Sequence, residues 1–160
     1  MKVYLDYTQS ELDRQYDQRS LVPDPSPWMT PCVDASSSAK VSFNSLENIS
    51  YGDHPDELLD IFLPDGAGPW PLVIFCHGGA WKALSKDEAG FPAIPLVPSG
   101  IALAALNFGL APDVPLDVIV GQVRRAVVHL KSNAAIWNLD PDRFFAAGHS
   151  SGAHLASLLA

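Results

Sequence analysis

The sequence has little of what would place it outside ordinary globular proteins. Cysteine is scarce: Cys32 and Cys76 are the two present, too few for a disulfide framework. Cys76 lies in an apolar stretch and reads as a small buried hydrophobe. Basic residues are also few, 10 Lys and Arg against 18 Asp and Glu, for a formal charge of −8. That balance argues against nucleic acid or an anionic membrane surface as partner. No apolar run is longer than Ile101–Leu106, far short of the roughly 20 residues a membrane-spanning helix needs. The opening, MKVYLDYTQSELDRQYDQRS, has no apolar core of signal-peptide type, so a cytoplasmic location is the expectation. Neither G-x-x-x-x-G-K-[ST] nor G-x-G-x-x-G occurs, which removes the phosphate and dinucleotide loops. Among the histidines no pair has H-x-x-x-H or H-E-x-x-H spacing, and His149 and His154 are five apart. No metal is expected.

What is present is hydrophobic content of 48% with charged content of 18%, enough for one domain with a real core. Residues 1–39 stand apart. SELDRQYDQR reads as a short helix with Ser10 as N-cap and Asp13 in its first turn. The proline- and serine-rich LVPDPSPWMTPCVDASSSA reads as an extended arm. From residue 40 to 160 the pattern is that of α/β structure. NISYG and LLDIFLP read as strands around the turn DHPDE, and PLVIFC and IALAALNF as strands buried on both faces. Leu116, Ile119, Val120, Val123, Val127 and Leu130 recur at helical spacing. RFFAAG reads as the next strand and SSGAHLASLLA as the helix after it. Strand and helix in alternation predict a mostly parallel sheet with flanking helices.

The chemistry concentrates at two places. Gly148-His149-Ser150-Ser151-Gly152 is a G-x-S-x-G pattern between a strand and a helix. A turn that tight leaves no room for side chains at its glycines and pushes the serine oxygen out above the sheet. Ser150 is therefore the candidate nucleophile, and the Ser151 N–H a candidate oxyanion donor. CHGGAW, residues 76–81, ends a buried strand where an oxyanion loop belongs. Gly78 and Gly79 let the backbone approach a substrate carbonyl, and His77 orders the loop by hydrogen bonding.

These segments, with LDRQYDQRSLVPD, YGDHPDELLDIFLP, LNFGLAPDVPL and WNLDPDRFFAAGHSSGAHLA, resemble the kynurenine formamidase (arylformamidase) group of α/β-hydrolases, which overlaps small carboxylesterases. The resemblance implies Ser150 as nucleophile, an oxyanion hole of Gly78, Gly79 and Ser151, and motif support from His77, Gly148 and Gly152. It implies attack on the formyl carbon of an N-formylkynurenine-like aryl formamide, with release of formate, no cofactor, and Trp81 lining an aromatic pocket. A carboxylesterase acting on a small ester is the alternative, and a non-catalytic fragment that associates through its half-sheet, as a homo-oligomer or with another chain, is a third reading. NFGLAP puts Phe108 and Gly109 where related esterases carry the tyrosine and arginine of YRLAP. In this fold the triad order is Ser, then Asp or Glu, then His. The acid and base are thus expected beyond residue 160, the chain on its own is expected to be inactive, and the last strands of the sheet are expected to be absent.

Overall fold

A computed structural model describes residues 1–17 and 22–159, in two units, Met1–Pro31 and Cys32–Ala160. Part of LDRQYDQRSLVPD, residues 18–21, lies outside the described residues. In the first unit, β1 (Lys2–Tyr4) pairs antiparallel with β2 (Tyr7–Thr8), and α1 (Gln9–Tyr16) follows directly. The helix begins earlier than the sequence suggested. Thr8, not Ser10, is its N-cap: Thr8 Oγ1 accepts the Glu11 N–H, and the Glu11 carboxylate accepts the Thr8 N–H at 2.8 Å. Of Thr8 and Ser10, Thr8 has the glutamate three residues on and so closes a reciprocal capping box.

The stretch read as an extended arm is instead helical, as α2 (Ser26–Ser42). Pro27 falls in the first turn, where its missing N–H costs no bond. Ser36 donates its hydroxyl to the Cys32 carbonyl at 2.8 Å and accepts the Phe91 N–H at 2.9 Å. The first bond lets a serine sit inside a helix. The second is a tertiary contact that local composition cannot announce.

The second unit is built on a mixed five-stranded sheet. Its strands are β3 (Asn44–Ser50), β4 (Leu58–Leu63), β5 (Trp70–Cys76), β6 (Ala102–Leu106) and β7 (Leu139–Gly148), in the order β3-β4-β6-β5-β7. β3, β4 and β6 pair antiparallel; β6, β5 and β7 pair parallel. The alternating faces of β4, β5 and β6 bury two separate cores. Leu59, Ile61, Leu72, Ile74, Cys76, Ala104 and Leu106 face α4 (Leu116–Ser132), which contributes Ile119, Val123, Ala126 and Leu130. Phe62, Phe75, Leu103 and Ala105 face Ala39 of α2 and Ala93 of α3 (Ala93–Leu96). Strands covered on both sides need apolar residues at every position, which is why PLVIFC and IALAAL read as continuous runs.

Asp60 is the exception, fully buried on the second face. It is paired with Lys86 at 3.0 Å and Lys40 at 3.1 Å, and it accepts the Asn48 N–H at 2.8 Å. Among the described residues β7 is one edge of the sheet, opposite β3, with Phe145 exposed. No described helix is long and apolar enough to cross a membrane.

Candidate active site

β5 runs into the loop that leads to α3 on one face of the sheet; β7 runs into α5 (Ser151–Ser157), whose Leu155 packs on the other face. Neighbouring parallel strands whose connections leave to opposite faces open a crevice at their carboxyl ends. The register places Cys76 opposite Gly148, so the loop 77–81 and the turn 149–151 meet at that crevice.

Ser150 sits at the turn with φ 54° and ψ −121°, a backbone conformation that costs about 1–3 kcal/mol and persists only where the surroundings enforce it. Those surroundings are the glycines on either side. A Cβ on Gly148 would collide with the Gly152 carbonyl, and one on Gly152 with the carbonyls of Cys76 and His77. The turn is held against β5 by the His149 N–H, which donates to the Cys76 carbonyl at 3.2 Å. Ser150 is exposed, and no described residue hydrogen-bonds its hydroxyl.

The loop from β5 lies over this turn. A Cβ on Gly78 would come within 2.9 Å of His149 Nδ1 and 3.4 Å of Ser150 Cβ. Gly79, Ala80 and Trp81 have φ of 100°, 54° and 59°. Three left-handed residues in succession are costly for all but the glycine, and several bonds hold them. The Lys82 N–H donates to the Gly79 carbonyl at 2.9 Å, and the Ala111 N–H to the Trp81 carbonyl at 2.7 Å. The Trp81 N–H donates to Ser151 Oγ at 3.3 Å. The backbone N–H groups of Gly79 and Ser151 donate to no described residue. Free backbone donors are what stabilisation of a tetrahedral oxyanion requires.

His77 is 3% exposed, and its Nδ1 lies 2.8 Å from the Gly78 carbonyl. A carbonyl only accepts, so Nδ1 carries the proton. Burial pushes the imidazole pKa below its usual value, and the Gly78 bond opposes this only in part. His77 Nε2 and Trp81 Nε1 are buried with no partner among the described residues. Trp81, half-buried, stands edge-on to His154 with ring centres 5.4 Å apart. His129 packs against Trp137, and His54 lies beside Asp56. Burial pushes the Cys76 thiol up to about 12, which leaves it inert under the crevice. The structure thus brings His77, Gly78, Gly79, Trp81, Gly148, Ser150, Ser151 and Gly152 to one place. A groove of about 700 Å³ runs along β7, lined by Val127, Phe144, Ala146 and Leu159, and reaches Gly148 and Ala153.

A sequence model of the BD-FAE family matches residues 59–160. The chain belongs to that family. This BD-FAE chain is 43% identical to kynurenine formamidase of Danio rerio over 72% of its own length and 38% of that protein's. It is 34% identical to kynurenine formamidase of Salmo salar, over 99% of itself and 55% of that protein. Among solved structures, a putative thioesterase from Silicibacter sp. tm1040 superimposes with a TM-score of 0.78 at 30% identity, over 93% of this chain and 55% of that one. The chain thus spans about half or less of the length of the relatives it matches. Its fold is part of an α/β-hydrolase, of the arylformamidase and esterase type.

Two site contacts had no reading in the sequence. Gln122 is 1% exposed on α4, and its Oε1 accepts the Gly109 N–H at 2.9 Å. A polar residue on an otherwise apolar helical stripe, three after Ile119 and four before Ala126, was the available signal. The Ser151 hydroxyl has no such signal, because its partner is a backbone group 70 residues away.

Proposed function

We propose that this chain carries the nucleophile and the oxyanion hole of a serine hydrolase that cleaves N-formyl aromatic amines of the kynurenine type. Ser150 is the nucleophile; the N–H groups of Gly79 and Ser151, with the Gly78 segment behind them, take up the oxyanion. Ser150 Oγ forms a bond to the formyl carbon and gives its proton to a general base. The carbonyl oxygen becomes the oxyanion. Collapse breaks the C–N bond, the base returns the proton to the leaving amine, and water hydrolyses the formyl ester to formate and regenerates Ser150. The base is not among the described contacts of Ser150. His77 is committed to the Gly78 carbonyl, and His154, His129 and His54 are packed against other groups.

The observation that carries this reading is the strained Ser150 backbone directly beneath a glycine loop with unpaired N–H groups. The similarity to two kynurenine formamidases supports a formamide substrate, for which Trp81 offers an aromatic wall. A second reading, hydrolysis of an ester or thioester on the same serine, is favoured by the likeness to a putative thioesterase. The test is parallel turnover of an N-formyl aryl amine and a short acyl ester by a chain extended to include the acid and base expected beyond residue 160, with labelling by a fluorophosphonate. Ser150→Ala is expected to remove the label and to lower turnover by orders of magnitude. Labelling unchanged in Ser150→Ala would overturn the assignment. Ester turnover far above formamide turnover would select the second reading.

A further inference from the structure

The imidazole of His77 is stacked face to face on Phe108, with ring centres 4.2 Å apart and planes inclined by 7°. Both residues are buried, Phe108 at 1% exposure and His77 at 3%. Nothing else on the ring is anchored by polar contact. Nδ1 holds the Gly78 carbonyl at 2.8 Å, and Nε2 has no partner among the described residues. A ring with a single hydrogen bond can still swing about that bond. The flat face of Phe108, stacked on it, opposes that swing.

The consequence reaches the oxyanion donor through the peptide plane. The Gly78 carbonyl and the Gly79 N–H belong to one trans peptide and point in opposite directions. Fixing the carbonyl to the His77 ring therefore fixes where the Gly79 N–H is aimed. A left-handed φ of 100° at Gly79 makes this peptide easy to rotate, since glycine has no side chain to resist. The direction of the donor is thus imposed from outside the loop. We propose that Phe108 is a positioning residue for the oxyanion hole: it holds the His77 ring, the ring holds the Gly78 carbonyl, and the carbonyl directs the Gly79 N–H. The proposal rests on reading the glycine loop as an oxyanion hole. It also gives Phe108, where related esterases carry tyrosine, a role that either aromatic ring can fill.

The experiment compares the parent chain with Phe108→Leu, Phe108→Tyr and His77→Asn, all labelled with nitrogen-15. In the parent, long-range nitrogen–proton spectra are expected to show His77 as one tautomer, protonated at Nδ1. Phe108→Tyr is expected to match it. Phe108→Leu is expected to give averaged tautomers and to speed hydrogen exchange of the Gly79 amide about tenfold. In His77→Asn the side-chain amide takes the place of Nδ1 and the ring is gone, so adding Phe108→Leu should change Gly79 exchange little further. In the Ser150-dependent assay of the chain extended to include the acid and base, Phe108→Leu is expected to lower kcat roughly tenfold to a hundredfold with KM within about threefold, as for a donor that is present but misdirected.

A parent tautomer protonated at Nε2 overturns the proposal whatever the variants do. So does a Phe108→Leu chain that keeps the parent tautomer and Gly79 exchange, or equal losses in Phe108→Leu and Phe108→Tyr. Should a chain extended to include the acid and base show no Ser150-dependent turnover, the hydrolase reading fails, while the tautomer and the Gly79 amide still decide whether Phe108 sets the loop.

Discussion

The backbone N–H of Trp81 donates to the hydroxyl of Ser151 at 3.3 Å, so the glycine loop after β5 and the first residue of α5 are tied by a side chain. Trp81 carries a left-handed φ of 59°, and this bond is one of those that hold it there. Ser151 is 6% exposed, so its hydroxyl has little water to fall back on.

Ser151→Ala is therefore expected to destabilise the chain by about 1–2 kcal/mol, the cost of leaving a largely shielded donor unsatisfied. It keeps the Ser151 backbone N–H, so any loss of turnover comes from the loop and not from a deleted oxyanion donor. Denaturant unfolding measures the first effect. Hydrogen exchange at Trp81 and Lys82 reads the second, and exchange no faster than in the parent would show that the bond does not hold the loop.

Gly152→Ala is expected to be far more damaging than its single methyl suggests. The added Cβ would run into the carbonyls of Cys76 and His77, which are backbone atoms and cannot step aside without moving β5 or the turn. Forced overpacking of this kind costs about 1–3 kcal/mol and sometimes more. A thermal melt and fluorophosphonate labelling check it, both expected to fall together.

The buried pair of Lys86 and Asp60 gives a test of how the loop region is anchored. Their side chains are 6% and 0% exposed and lie 3.0 Å apart. Removing one charge leaves the other stranded, a loss of about 3–5 kcal/mol for pairs of this type. Lys86→Met is expected near the low end, because Lys40 and the Asn48 N–H still serve Asp60. Asp60→Leu is expected to cost more, since it leaves the Asn48 N–H without its acceptor and leaves Lys86 and Lys40 to share Asp87, with Glu47 beside Lys40. Denaturant midpoints that rank the two in the opposite order would refute this.

Two pH windows follow from the same structure. Burial depresses the His77 pKa below its ordinary 6.5, so the unfolded chain binds that proton more readily. Its contribution is complete above pH 6.5 and is lost as pH falls from there through the folded value. His77→Asn is expected to remove that part of the decline. At lower pH the hydrogen bond from Lys40, with Lys86 adding to it, depresses Asp87. Stability from that contact is present above the ordinary carboxylate range and lost as pH falls through the folded value. Unfolding curves taken between pH 4.5 and 7.5, for the parent and His77→Asn, separate the first window from the second.

Much of the geometry of the candidate site was legible because its logic is local. A strand, a glycine, a serine two residues on and another glycine fix a turn of one kind, since few other residues fit so close to neighbouring carbonyls. The loop at residues 77–79 could be read for the same reason. The N-terminal segment was less legible. Thr8 caps α1 through Glu11, within four residues, and Ser10 was the wrong choice among candidates that local pattern ranks alike. The helix at Ser26–Ser42 was hidden by its prolines and serines, whose ordinary preference is for turns; burial of Ser36 and Ala39 overrides that preference.

By itself the sequence determined the alternation of strand and helix, the two buried strands beside the site, and the tight turn at residues 148–152. Each is set by residues within a few positions of one another, through side-chain periodicity or the steric demands of a tight turn. Only the tertiary structure decided the order of the strands, which puts β5 between β6 and β7, and with it the meetings of His77 with Phe108 and of Trp81 with Ser151. Those contacts join residues 31 and 70 positions apart. They exist because parallel strands bring their carboxyl ends to the same edge of the sheet, a relation that no local pattern encodes.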